Sequence, residues 1–270
     1  MKCALVLVPL IIVSILTLSS NVNATTKRSH LVLVHGAGHG AWCWYKVVTL
    51  LRSTGHNVTT IDLMASGINP NHISQVNRSV IDYGKPLMDF MESLPTTPAN
   101  KVILVGHGLG GLSISIAMES YPRKISAAIT RRSGPSMDSK LIFDNGPKNL
   151  PTAVILGPKA MSTMMYQLSP PQDLVLALSL VRAFPLFNNA ELTIKQVQLN
   201  KERYGSVKRV FIVCDQDLTY EESFQRWMIK ENPPHEVKVI NGTDHMVMFT
   251  KPLKLFTLLG EIAEKYSPMS

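Results

Sequence analysis

The stretch that most constrains this chain is Val102-Ile-Leu-Val-Gly-His-Gly-Leu-Gly-Gly-Leu112. Its first four residues are apolar and three are β-branched, the pattern of a short strand buried on both faces. Leu109 through Ser120 reads as a helix. Between them Gly106-His-Gly-Leu-Gly110 makes a turn too tight for side chains at its flanks. A strand, a G-x-S-x-G turn and a helix together lift a serine hydroxyl above a parallel sheet for nucleophilic attack. Here the serine position is Gly108. The framework for an activated hydroxyl is present and the hydroxyl is not.

The rest of the chain supplies the sheet that such a turn requires. His30–Val34 is a buried strand running into the glycine-rich loop His35-Gly-Ala-Gly-His-Gly40, and a helix follows from Ala41 to Ser53, with Gly55 as its C-terminal stop. Asn57–Asp62 is the next strand, and Ser79 is placed to cap a helix over 80–93. Strands at 125–129, 207–213 and 235–240 and helices at 221–230 and 252–266 complete an alternation that predicts an α/β fold. It is a mostly parallel sheet with helices on both faces. From about 133 to 203 the alternation stops, which predicts a cap inserted over the sheet. Two helices are expected in the cap; Ser169-Pro-Pro-Gln172 has the pattern of a capped start for one that runs to Arg182, and Met161, Met164 and Met165 read as adaptable core.

Residues 1–24 carry Lys2, an apolar run from Ala4 to Leu18 and the small-residue site Val22-Asn-Ala24, the organisation of a secretory signal peptide. A 15-residue run is short of the roughly 20 residues that cross a bilayer. The expected mature unit is therefore one domain over 25–270, secreted or lumenal and without a membrane span once the leader is removed; an uncleaved anchor is the other reading of the run. Sequons at Asn57, Asn77 and Asn241 suit that route. The net charge of +8 is dispersed, with no basic face interleaved with aromatics, so nucleic-acid binding is not expected. No Cys/His cluster has metal-ligand spacing. Cys43 and Cys214 read either as small buried hydrophobes or as a bridge.

Chemistry concentrates at the ends of the strands. Asp217 lies just after the strand that ends near Cys214, and His245 lies in the loop before the last helix. An acid and then a histidine, in that order after the elbow, can form a hydrogen-bonded pair in which the carboxylate fixes the imidazole tautomer. Asp215 and Asp244 are the expected bystanders. The N–H groups of Ala37 and Leu109 are placed to form an oxyanion hole, and neither depends on residue 108. His39 is expected to face the same pocket, whereas His35 and His107 read as packing.

Several of these stretches resemble the plant methylesterase family of α/β-hydrolases, which includes salicylate-binding methyl esterases, polyneuridine aldehyde esterase and hydroxynitrile lyases. They are His35-Gly-Ala-Gly-His-Gly-Ala-Trp-Cys-Trp-Tyr-Lys46, Val102–His107, Tyr204-Gly-Ser-Val-Lys-Arg-Val210, Phe224-Gln-Arg-Trp227 and Asp244-His-Met-Val-Met248. The resemblance implies the α/β-hydrolase fold with a shortened helical cap and cofactor-free hydrolysis of methyl esters of small hormones such as salicylate, jasmonate and indole-3-acetate. Asp217 and His245 would be acid and base, Ala37 and Leu109 oxyanion donors, and His39 and Met246 pocket walls. Met246 together with Gly36 is similar to the esterases; the lyases often carry lysine and threonine there. The chain departs from the family at Gly108, at Thr130-Arg-Arg-Ser-Gly134 in place of an apolar strand, in a shorter cap, and in its leader, since most relatives look cytoplasmic. Three functional readings result: an esterase scaffold with catalysis abolished or very weak, a small-carboxylate binding protein using the same pocket, or a degenerate copy.

Overall fold

The computed structural model describes residues 28–76, 79–129 and 137–267. The expected leader, the Asn77 sequon and the Thr130–Gly134 departure lie outside these residues.

In chain order the elements are β1 (His30–Val34), α1 (Tyr45–Ser53), β2 (Asn57–Ile61), α2 (Val80–Ser93), β3 (Val102–Gly106), α3 (Gly110–Ser120) and β4 (Ile125–Ile129). A region of short elements follows: β5 (Lys140–Ile142), β6 (Ala153–Ile155), α4 (Pro158–Ala160), α5 (Pro171–Leu180), β7 (Phe184–Pro185) and α6 (Ala190–Gln196). Then come β8 (Lys208–Cys214), α7 (Glu222–Glu231), β9 (Glu236–Ile240), α8 (Val247–Thr250) and α9 (Pro252–Tyr266). Six strands form one parallel sheet in the order β2-β1-β3-β4-β8-β9. This is the α/β-hydrolase arrangement of a parallel sheet among helices.

Burial explains the strands. Leu31 to Val34 are inaccessible to solvent and every residue of β3 is buried. Continuous apolar runs are needed because helices cover both faces of a parallel sheet. The chain leaves β1 toward β2 on one side and returns to β3 on the other. The crevice at this reversal opens at the C-terminal ends of β1 and β3, where ligands bind in open α/β sheets. The glycine-rich loop and the elbow both lie there.

Local expectations fare unevenly. Ser79 caps α2, its hydroxyl accepting the Asp82 N–H at 3.1 Å. Residues 41–44 form a 3-10 turn ahead of α1, anchored where the Ala41 N–H donates to Asp62 at 2.6 Å. The cap region is not purely helical: β5, β6 and β7 form a small antiparallel sheet. Ser169 does not cap α5. Pro170 holds the N-cap position without a side-chain bond, α5 stops at Leu180 rather than Arg182, and the Ser169 hydroxyl donates instead to Asp244 at 2.8 Å. Met161 and Met165 are buried, in a π-helical turn over 161–165. Cys43 and Cys214 are buried and not bridged to one another. Asn57 and Asn241 are exposed.

Candidate active site

The elbow forms without its hydroxyl. Gly108 has φ +53°, in the left-handed region that glycine enters at least cost. The first turn of α3 sits against the end of β1: a β-carbon on Gly110 would lie 2.5 Å from the His35 carbonyl oxygen and 2.6 Å from that of Val34. Only glycine permits this approach, because both obstacles are backbone of a central strand. Ser113 is buried in α3 and the Ser115 hydroxyl donates to the Gly111 carbonyl at 2.8 Å, so neither replaces the missing group.

Asp217 and His245 come together from the ends of β8 and β9. His245 Nδ1–H donates to Asp217 Oδ2 at 2.9 Å, with both side chains buried. The other carboxylate oxygen accepts the backbone N–H groups of Thr219 at 2.7 Å and Tyr220 at 2.9 Å, which fixes the plane of the carboxylate. Asp215 is turned away, accepting the Gly242 N–H at 2.7 Å. His107 bridges elbow and histidine loop: its Nε2–H donates to the His245 carbonyl at 2.9 Å, and the two rings lie 4.6 Å apart.

The glycine-rich loop closes the third side. A β-carbon on Gly36 would meet His107 Nδ1 at 2.8 Å, which measures how closely this loop abuts the elbow. Ala37 and Leu109 are both buried, and among the described residues neither donates its N–H to the protein backbone. His35 accepts the Leu63 N–H on Nε2 at 3.1 Å and donates from Nδ1 to the Gly36 carbonyl at 2.7 Å, a packing role in its neutral form. His39 donates from Nδ1 to the Ala37 carbonyl at 2.8 Å and accepts the Tyr166 hydroxyl on Nε2 at 2.6 Å. Its ring stacks between Trp42 and Tyr166, and Phe249 stacks on both of those. Met246 is fully buried at the start of α8. Tyr166, which comes from the cap, was not among the expected residues; no motif surrounds it, and only its partner His39 marks it.

Burial pushes His39 down to about 4 from its usual 6.5, so this imidazole is neutral. Above pH 6.5 it is neutral folded or unfolded. Between pH 6.5 and 4 the unfolded chain takes up a proton that the folded one refuses, so stability falls as pH falls, and below 4 the loss levels off. The contribution is on the order of 3 kcal/mol at most. Thermal melting followed from pH 7 to pH 4 is expected to fall less steeply for His39→Gln than for the natural protein; parallel curves would assign the acid sensitivity to other groups, such as the buried His35.

Among the described residues no group of three or more His, Cys, Asp or Glu could hold a metal ion, and no helix is long and apolar enough to cross a membrane. An open cavity of about 330 Å³ lined by Leu112, Tyr204, Arg209 and Trp227 lies between α3, β8 and α7 and includes none of the candidate residues.

Residues 31–257 match the model of the alpha/beta hydrolase family. The chain is 50% identical over 262 residues to methyl jasmonate esterase 1 of Vitis vinifera, covering 89% of this chain and 99% of that protein. It is 43% identical over 263 residues to salicylic acid-binding protein 2 of Nicotiana tabacum, with 89% and 99% covered. Among solved structures it is similar to tomato methylketone synthase I, at 48% identity and a TM-score of 0.83 over 89% of this chain and 99% of that one. That enzyme has been solved with 2-tridecanone and, as a variant, with β-ketoheptanoate. The chain belongs to the alpha/beta hydrolase family and, within it, to the plant methylesterases.

Proposed function

We propose that this protein is a methylesterase-like hydrolase scaffold whose ester-cleaving chemistry is silenced at Gly108, and that its retained site holds a small carboxylate or its ester. Glycine at the turn that should present the hydroxyl carries the reading. Ala37 and Leu109 N–H groups remain to bind a carbonyl or carboxylate oxygen, and Asp217 remains paired to His245. His39, Tyr166 and Met246 furnish a largely apolar wall. Residual hydrolysis would have His245 activate a water in place of a serine, a slow route without a covalent intermediate. Similarity to jasmonate and salicylate relatives supports hormone-sized ligands.

A second reading is favoured by the likeness to methylketone synthase I. A β-keto acid loses carbon dioxide through an enolate, and protonation of that enolate gives a methyl ketone. No nucleophile takes part. The requirements are donors for the enolate oxygen and a proton source, which Ala37 and Leu109 on one side and His245 on the other can supply.

One panel separates the readings. The natural protein is incubated with methyl jasmonate, methyl salicylate and β-ketoheptanoate, following released acid and released carbon dioxide, and its melting temperature is recorded with free jasmonate and salicylate. A ligand-induced rise without turnover is the expected result. Carbon dioxide release abolished by His245→Ala would establish decarboxylation instead. No binding and no turnover would leave a degenerate copy.

A further inference from the structure

One short segment of the cap, residues 164–169, grips three separate loops of the site. The Thr219 hydroxyl, two residues beyond Asp217, donates to the Met164 carbonyl at 2.8 Å. The Gln167 amide donates to the Gln216 carbonyl at 2.7 Å, on the same loop. The Tyr166 hydroxyl reaches His39 at 2.6 Å. Leu168 N–H and the Ser169 hydroxyl both donate to Asp244 Oδ2, at 3.0 and 2.8 Å.

Asp244 is the unusual member. It immediately precedes His245, is fully buried, and divides its two oxygens between two tasks. Oδ1 accepts the Met246 N–H at 3.0 Å and the Thr250 hydroxyl, closing the turn that carries His245 into α8. Oδ2 is committed to the cap. A buried carboxylate deprived of two donors loses charge-assisted bonds and is left desolvated, which is costly. The carboxylate that closes the turn around His245 is thus fully partnered only when residues 168 and 169 are seated.

We infer that Asp244 is a positioning residue for His245, and that through Oδ2 it makes seating of the cap part of that positioning. This rests on the Asp217–His245 pair alone and on no assumption about substrate, so a failure of turnover leaves it standing.

The test uses the full chain without ligand. In Ser169→Ala, amide hydrogen exchange is expected to rise about tenfold in 164–169 and 243–248 together, the effect of one bond to a charged group. The proton resonance of the His245 Nδ1–H bonded to Asp217 is expected to broaden in that variant and to be restored in Ser169→Thr, which keeps the hydroxyl. Asp244→Asn places an amide donor against existing donors and is expected to abolish that resonance. Faster exchange confined to 164–169 with the His245 resonance intact would overturn the inference, reducing Asp244 to a cap anchor. Unchanged exchange in both segments would overturn it too. Should Asp244→Asn fail to fold, the Ser169→Ala and Ser169→Thr pair decides.

Discussion

Gly108→Ser is expected to convert this protein into a working methylesterase. Removing the nucleophile from a serine hydrolase costs on the order of 10⁶ in turnover, because the remaining parts act as a unit only when the hydroxyl is present. Here those parts are in place: Asp217 on His245 at 2.9 Å, His107 holding the histidine loop, and α3 seated against β1. Restoring the hydroxyl should therefore raise hydrolysis of methyl jasmonate or methyl salicylate by several orders of magnitude, up to about 10⁶ if alignment is ideal. The gain has a structural cost. A serine at φ +53° enters the left-handed region at roughly 1–2 kcal/mol, so the melting temperature should drop by a few degrees. Turnover rising as stability falls is the signature to look for in paired rate and melting measurements. A natural protein that already matches the serine variant would refute silencing at residue 108. Two folded but inert proteins would mean that the crevice admits no ester, and degeneration becomes the better account.

How much of this could be read from sequence depends on the range of the interaction responsible. β1 and β3 were legible because strands buried on both faces must be continuously apolar, and Ser79 because a cap bonds its own helix. The Asp217–His245 pair was legible because chain order maps onto neighbouring strand ends in a parallel sheet. The cap was legible only as an interruption. Strands of two or three residues, such as β7 and β5, are too short to show a period. Ser169 failed as a cap for a different reason: its local pattern is right, but its hydroxyl finds a stronger acceptor 75 residues away in Asp244. Asp244 accepts from Leu168, Ser169 and Met246 rather than from the imidazole of His245, and nothing in Asp244-His245 announces that partners come from the cap. Long-range polar contacts of this kind leave no periodic trace, and they are what join the cap to the site.

In the Gly108→Ser background, Asp217→Asn should lower turnover by about 10⁴ while leaving the fold intact. The reason is written in the partners of the carboxylate. Oδ1 is claimed by two backbone donors, Thr219 N–H and Tyr220 N–H, and Oδ2 receives Nδ1–H of His245. An asparagine has one oxygen to offer, and the two fixed backbone donors require it on their side. Its NH₂ group must then face the imidazole. A donor opposite Nδ1 stabilises the tautomer protonated on Nε2, and that nitrogen can no longer accept the serine proton. Size, burial and the backbone bonds are all conserved by the substitution, so melting should change little while the rate falls. A loss of less than tenfold, measured at saturating ester, would mean that Asp217 does not set the tautomer. The same substitution in the natural protein separates the two proposed functions. Decarboxylation needs a proton delivered to the enolate, which an Nε2–H tautomer can still supply and then recover from water, whereas general-base hydrolysis by His245 needs Nε2 unprotonated and should vanish.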